Sequence, residues 1–170
     1  DQHIIGLADI IVTAEKREVD LQSLSQSVSA YTSDARQLAG IATLQDLASF
    51  TPGLSYSSGN DRVFIRGIGR QTNTNGSDPG ISTYTDGIYD TATASVAASD
   101  FFVERVEILR GPQGTLYGRN SIGGAINAIS KRPTEEFTAD IRTTIANYDV
   151  FNLEAALSGS LTQGLRLRVA

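Results

Sequence analysis

The sequence predicts an α+β domain, with a small mixed sheet, short helices and glycine-rich loops, followed by a run of antiparallel strands. Two features of the 170-residue chain carry this prediction. Residues 103–133 have the pattern of two apolar strands joined by a turn that is rich in glycine. After residue 133, apolar and polar residues alternate through three successive runs, which is the two-residue period of strands with one apolar face.

The central stretch, residues 103–133, predicts a tight corner between two strands. Pro112 ends the first strand because proline has no N–H to donate to a sheet. Five glycines then fall within residues 111–124, and each disfavours a helix by about 1 kcal/mol relative to alanine. A second apolar run follows at residues 125–129. We expect the glycines to lie where the backbone packs closely against other groups.

Local signals upstream predict two short helices. Thr32 or Ser33 can cap a helix that runs through Leu38 and ends at Gly40, since a hydroxyl accepts from a free helix N–H. Thr43 can cap a second helix over residues 44–50. Strands are predicted at residues 28–31, 54–56, 62–69, 81–84 and 88–89.

Four smaller expectations complete the description of the chain up to residue 133. Asp86-Gly87 is a hairpin-type turn between the last two of these strands. Phe101 and Phe102 are expected in the core. Residues 1–8 show no pattern and are expected to be disordered, and residues 21–27 are expected to form a polar linker.

Composition excludes several classes of function. The chain has no cysteine and a net charge of −5, so thiolate metal sites, thiol nucleophiles and a basic nucleic-acid surface are not expected. Its single histidine, His3, lies in the terminal stretch, where it cannot join a catalytic triad or a carboxylate–histidine metal cluster. We therefore expect no enzyme activity, no cofactor, no metal and no nucleic-acid partner.

The central stretch reads ERVEILRGPQGTLYGRNSIGGAINAISKRP, and it closely resembles the signature of the plug domain of TonB-dependent outer-membrane receptors. That signature has a glutamate-rich strand, Arg-Gly-Pro, an aromatic-Gly pair, and a Gly-Gly-x-Ile-Asn strand that leads to Lys-Arg-Pro. Pro52-Gly53-Leu54, Ile65-Arg66-Gly67 and the run from Tyr84 to Tyr89 resemble further elements of the family. The resemblance implies three parts: a flexible N-terminus with a TonB box and linker (1–27), a plug domain (28–133), and the first strands of an incomplete transmembrane β-barrel (134–170).

The segment before the linker is the candidate for partner binding. Three consecutive β-branched residues favour an extended strand, and a short apolar edge can accept a strand from another protein, although an ordinary first strand is the alternative. The resemblance identifies this segment as the TonB box. It names the periplasmic domain of TonB, with its inner-membrane energising complex, as the partner. The residues concerned are Asp9, Ile10, Ile11, Val12, Thr13 and Ala14.

Two polar loops, residues 70–80 and 91–100, are long enough to be functional, although solvated turns are the alternative. The resemblance places such loops on the outward face, where they contact a ligand. The candidates are Arg70, Gln71, Asn73, Asn75, Asp78, Thr93 and Ser95.

Two strand-end arginines form a further candidate site. Arg66 and Arg110 each end a strand at an Arg-Gly step, where the alternative is a charge that reaches water. The resemblance implies that they pair with barrel glutamates that lie beyond residue 170.

The resemblance implies a TonB-dependent active transport receptor in the outer membrane of a Gram-negative bacterium, surrounded by outer-membrane lipid, with its plug facing the periplasm. Its small-molecule ligand would usually be a ferric siderophore or another scarce nutrient. Since such a transporter has about 22 strands, we expect this sequence to be a fragment. Two alternatives stay open. A signal-transducing receptor would need a separate domain before Asp9, which eight residues do not provide, and a soluble plug-like module would not need the alternating strands.

Overall fold

A computed structural model describes residues 11–13, 19–20, 27–60, 62–69, 79–90, 99–148 and 150–170. The expected disorder of residues 1–8 and most of the expected linker lie outside these residues. The described chain forms thirteen strands, three α-helices and one 3-10 helix, Ser58–Asn60. The strands are β1 Ile11–Val12, β2 Val19–Asp20, β3 Ser27–Thr32, β4 Leu54–Ser57, β5 Arg62–Ile65, β6 Ile68–Gly69, β7 Ile81–Thr85, β8 Ile88–Asp90, β9 Val103–Arg110, β10 Gly124–Ser130, β11 Thr138–Ala146, β12 Val150–Thr162 and β13 Leu165–Val169, and the helices are α1 Ser33–Ala39, α2 Leu44–Phe50 and α3 Gly114–Tyr117.

Five strands form the central sheet, in the order β3-β9-β10-β7-β8. β10 runs parallel to β7 and antiparallel to β9, while β3 and β8 complete the two edges with antiparallel pairs. The prediction of a small mixed sheet with short helices is therefore confirmed. The hairpin turn predicted at Asp86-Gly87 is present, because both residues adopt positive φ values of 52° and 79°.

The two predicted helices are present, and their caps are those that the sequence indicates. The Thr32 side chain accepts from the Ala35 N–H, and Gly40 ends α1 in the left-handed conformation. Thr43 and Asp46 form a reciprocal capping box at the start of α2. The hydrogen bond from the Thr43 hydroxyl, helped by those from the backbone, lowers the pKa of Asp46.

Three local predictions differ from the structure. The strand predicted over residues 62–69 is a hairpin, because Arg66 and Gly67 take φ values of 52° and 78° and reverse the chain between β5 and β6. The glycine-rich turn contains a single helical turn, α3, which ends at Gly118. Phe101 is buried as expected, but Phe102 is half exposed.

The central sheet is buried on both faces. Val106 and Ile108 of β9 and Ile126 of β10 face α2 and the small sheet β4-β5-β6, with Leu44, Leu47 and Ile65 among their neighbours. The opposite face carries a second cluster, which comprises Val12, Tyr84, Leu109, Tyr117 and Ala125. A sheet covered on both faces explains why β9 and β10 have near-continuous apolar runs.

The last three strands form an open antiparallel sheet, β11-β12-β13, which we call the distal sheet. Its register places one apolar row on one side, with Ile141 opposite Ala155, Ile145 opposite Phe151 and Leu157 opposite Val169. This side is exposed, whereas Ala156 and Ser158 on the other side are buried. The alternating strands predicted after residue 133 are therefore confirmed. No helix in the described part of the chain is long and apolar enough to cross a membrane.

Gly124 is a position where a side chain should not fit. Its φ is +152°, and an added Cβ would meet the carbonyl oxygen of Leu109 and lie 2.9 Å from Cδ1 of Ile65. We expect Gly124→Ala to destabilise the domain by about 2 kcal/mol, because the β9–β10 pair must shift. The urea concentration at the midpoint of unfolding, measured in detergent, reports this loss of stability.

Gly114 offers the matched control for that substitution. It begins α3, has no atom within 4 Å of an added Cβ, and has no positive φ. Gly114→Ala should leave the midpoint unchanged or raise it. Equal midpoints for the two variants would contradict the steric explanation.

Candidate functional site

The second face of the central sheet contains two buried polar side chains, Glu107 and Asn127. They lie on adjacent strands, directly opposite one another in the β9–β10 register. Glu107 is fully buried and Asn127 is 3% exposed. A buried carboxylate is costly unless hydrogen-bond donors surround it, so its partners indicate what this face binds.

The donors to Glu107 come largely from Thr13, which lies 94 residues away in the sequence. The Thr13 N–H donates to Oε1 at 2.8 Å, and the Thr13 hydroxyl lies 3.2 Å from Oε1 and 3.0 Å from Oε2. Asn127 Nδ2 donates to the same hydroxyl at 3.4 Å. One residue of the N-terminal segment therefore engages both buried polar side chains.

Val12 anchors the same segment by apolar contact. Its side chain is fully buried, in a cluster with Tyr84, Leu109 and Tyr117. β1 also pairs with β2, with Ile11 opposite Asp20 in an antiparallel register. Val12 and Thr13 are thus docked on the central sheet through a buried valine and a hydrogen-bonded threonine, while β1 and β2 form a separate two-stranded sheet. We call this contact the docking cleft, defined by Glu107, Asn127 and Tyr117.

Arg105 lies beside the docking cleft and pairs with Glu107, and Tyr117 contributes a third contact with Thr13. Arg105 Nε donates to Glu107 Oε1 at 2.8 Å, and its Nη1 lies 3.0 Å from a carboxylate oxygen of Glu104. The Tyr117 hydroxyl donates to the Thr13 carbonyl at 3.4 Å. Burial, followed by the nearby charge of Glu107, raises the pKa of Tyr117 to about 12. Like an unshifted tyrosine, Tyr117 keeps its hydroxyl proton at neutral pH and can donate to Thr13.

A cavity of about 600 Å³ opens beside Thr13 and Asn127. Arg105, Lys131 and Arg132 line it together with one carboxylate, Asp86. Because Arg105 is already paired with Glu107 and Glu104, the surroundings of the cavity contain charges of both signs. The described residues contain no cluster of three or more histidine, cysteine or acidic side chains that could hold a metal.

The structure places some of the predicted site residues and leaves others undescribed. Of the six predicted TonB-binding residues, Val12 and Thr13 lie in the docking cleft, and Ile11 of β1 pairs with Asp20 of β2. Asp9, Ile10 and Ala14 lie outside the described residues. So do all of the predicted ligand-facing residues, which are Arg70, Gln71, Asn73, Asn75, Asp78, Thr93 and Ser95.

Arg66 and Arg110 come together at one turn. The Arg66 N–H donates to the Gly53 carbonyl at 2.7 Å, and Arg110 Nη1 donates to the Pro52 carbonyl at 3.1 Å. The Arg66 guanidinium lies 3.8 Å from the position that a Cβ on Gly111 would occupy. Arg110 Nε is buried and donates to none of the described residues.

Sequence reasoning missed the roles of Glu107 and Asn127. Each interrupts a strand whose adjacent residues are buried and apolar, Val106 and Ile108 in one case and Ile126 and Ala128 in the other. A polar residue at such a position is a signal of a buried hydrogen-bonding site. It does not indicate that Thr13 is the partner.

A protein-family model described as "TonB-dependent Receptor Plug Domain" matches residues 20–125. The chain belongs to this family. The resemblance drawn from the central stretch is confirmed, and the five-stranded sheet with its helices is the plug. The family is one of receptors rather than of enzymes.

Similar proteins extend the match to both ends of the plug. The pesticin receptor of Yersinia pestis is 30% identical over 92% of this chain, and the ferrichrome outer membrane transporter/phage receptor of Escherichia coli K12 is 31% identical over 88%. The structure of Pseudomonas aeruginosa FpvA bound to a ferric pyoverdine covers 92% of this chain with a TM-score of 0.72 and 28% identity. This chain spans 24%, 20% and 21% of these three proteins, which is a quarter or less of each.

The plug's hold on Thr13 can be measured by hydrogen exchange. Thr13→Val keeps the shape and the N–H but removes the hydroxyl that Glu107 and Asn127 contact. We expect the segment to open with about 1 kcal/mol less free energy, so that the amides of residues 12 and 13 exchange about fivefold faster.

Two further variants sharpen this experiment. Glu107→Gln has one acceptor oxygen for Thr13 and Arg105 together, so it should accelerate exchange more than Thr13→Val does. Thr144→Val, on an exposed position of the distal sheet, is the control and should change nothing. Unaltered exchange at residues 12 and 13 in both docking-cleft variants would show that Glu107 does not hold the segment.

Proposed function

We propose that this chain is the plug-bearing part of a TonB-dependent receptor that actively transports a ferric siderophore, or another scarce nutrient, across the outer membrane of a Gram-negative bacterium. The observation that carries the proposal is the docking of Thr13 on Glu107 beside the buried Val12. A segment that a partner protein must bind has to be able to detach reversibly from the plug. Hydrogen bonds to one buried carboxylate, together with one buried valine, provide such a hold.

The proposed ligand contacts lie on the outward loops. Ligand would bind to residues of the 70–80 and 91–100 loops together with barrel loops, and the candidates are those named from the sequence. The names of two similar proteins support a siderophore, because one is a ferrichrome transporter and the other binds pyoverdine. In this proposal the protein is a transporter and not an enzyme, and it needs no cofactor.

The proposed coupling step is release of the TonB-binding segment, residues 9–14, into the periplasm. β2 occupies one edge of β1 in the docked state, and Glu107 occupies the Thr13 N–H. A TonB strand that paired along these residues would need some of the same backbone groups. Docking on the plug and pairing with TonB would therefore compete, and the ligand would favour release.

The proposed membrane location draws on the distal sheet. Its apolar row is exposed over three strands, which suits contact with outer-membrane lipid, while its polar side faces the plug. We retain the division into an N-terminal segment with linker (1–27), a plug (28–133) and barrel strands (134–170), with the plug facing the periplasm.

Deletion of residues 9–14 tests the proposed coupling. The deletion removes both Val12 and Thr13, so uptake by the full-length receptor should be abolished while ligand binding persists. Uptake and binding of iron-55 ferrichrome and ferric pyoverdine measure the two properties. A deletion of residues 1–6, of equal length, is the control and should retain uptake. Uptake that survives loss of residues 9–14 would refute the assignment of the TonB-binding segment.

We also propose that Arg66 and Arg110 form contacts between the plug and barrel residues beyond position 170. The open donor at Arg110 Nε supports this role, because a buried guanidinium nitrogen calls for an acceptor. The position of both arginines at the Pro52-Gly53 turn supports a shared acceptor site.

Alanine substitution tests this contact in the intact receptor. Arg66→Ala and Arg110→Ala should each destabilise the plug by about 3 kcal/mol if a buried carboxylate loses its partner. Arg119→Ala, at an exposed arginine, should have no effect. The urea concentration at which the plug becomes sensitive to protease is the measurement. An unchanged midpoint in both variants would exclude the proposed pairing.

A further inference from the structure

A second polar contact joins the plug to the distal sheet, at a place that the sequence did not indicate. Asp100 and Phe101 lie just before β9, in a turn where Ser99 accepts from the N–H groups of Phe102 and Val103. Phe101 is buried, and the Asp100 side chain is 14% exposed. Two arginines of the distal sheet contact these two consecutive residues.

Arg142 of β11 contacts both side chains. Its Nη1 lies 3.7 Å from Asp100 Oδ2, and its guanidinium carbon lies 4.8 Å from the centre of the Phe101 ring. The same Nη1 lies 3.6 Å from Glu154 Oε2, on the paired strand β12. Arg36 of α1, which is almost fully buried, lies 3.3 Å from the other oxygen of Asp100. Charges of alternating sign thus run from the plug helix to the distal sheet.

Arg168 of β13 holds the backbone of the same turn. Its Nε and Nη2 donate to the Phe101 carbonyl at 3.2 Å and 2.9 Å. Ser158, its partner in the β12–β13 register, is buried and accepts from the Thr134 N–H at 2.9 Å. The polar side of the distal sheet is therefore closed against the plug at this point. By contrast, Arg166 pairs with an exposed Glu135 at 2.7 Å.

We propose that Asp100 and Phe101 fasten the plug to its own barrel wall, and that this fastening stays closed when the N-terminal segment is released. The docking cleft holds Thr13 through Glu107, Asn127 and Tyr117. The fastening uses Arg36, Asp100, Phe101, Arg142 and Arg168. The two sets of contacts share no residue, and energies of separate sites are close to additive. The inference rests on the proposed function, which supplies both the barrel wall and the release of the N-terminal segment.

Cysteine labelling of the full-length receptor in outer membranes tests this independence. The 170-residue chain has no cysteine, so single replacements report cleanly within it. Val12→Cys reports on the docking cleft and Ser158→Cys on the fastening, since both positions are buried and both replacements are small. Ser160→Cys, two residues along the same strand and exposed, controls for access of the maleimide reagent.

Each contact is then opened separately. Glu107→Gln should raise the labelling rate at position 12 by about tenfold and leave position 158 within about twofold. Arg142→Ala should do the reverse, and Asp100→Asn, which removes the charge that Arg142 faces, serves if Arg142→Ala does not assemble. Arg166→Ala, at the exposed pair, should alter neither rate. Ser160→Cys should label rapidly in every background.

The outcomes separate cleanly. If Glu107→Gln exposes position 158 together with position 12, the fastening depends on the segment and the proposal is wrong. If Arg142→Ala leaves position 158 protected, Arg142 does not fasten the plug and the proposal is wrong as well. Should position 12 stay protected in Glu107→Gln, deletion of residues 9–14 supplies the released state, and position 158 must remain protected in it. The assay uses no ligand and no TonB, so it stands apart from the test of transport.

Discussion

A carboxylate buried in the middle of a sheet is the constraint on which this plug depends. Glu107 cannot reach water, so its two oxygens must be satisfied by protein groups, and Thr13 and Arg105 supply them. Removing Thr13 would leave Arg105 to compensate the charge alone. The stability of the plug centre is thereby coupled to the position of the N-terminal segment.

The strands that carry Glu107 and Asn127 also show where release of the N-terminal segment would reduce packing. β9 and β10 are central strands with apolar clusters on both faces. Val106 and Ile108 pack on one side, while Leu109 joins Val12 on the other. Because packed interiors do not close up fully around a missing side chain, loss of Val12 leaves a cavity in the cluster around Leu109 and Tyr117 and destabilises this face of the sheet.

The parts of the fold that sequence could predict are those whose signals are local. Thr32, Gly40 and the Thr43–Asp46 capping box specify their helices through neighbours three or four residues away. The prediction of one strand over residues 62–69 was wrong because the positive φ of Arg66 has no signal in the sequence. An Asn-Gly pair at a hairpin turn would have given such a signal. The contacts Thr13–Glu107 and Phe101–Arg168 span 94 and 67 residues, and only the folded topology brings such groups together.

The two polar contacts of the plug, at Glu107 and at Asp100, suit a gate better than apolar ones would. A hydrogen bond or ion pair is strong while water is excluded and weakens steeply once water enters, because the local dielectric rises. An apolar contact has no such dependence and weakens only as its area is lost. A partial opening at Thr13 would therefore weaken the remaining contacts of Glu107, while Asp100 makes its contacts with a separate set of residues, Arg36 and Arg142. Because the clusters around Glu107 and Asp100 are separate, the N-terminal segment can be released while the turn at Asp100 stays attached to the distal sheet.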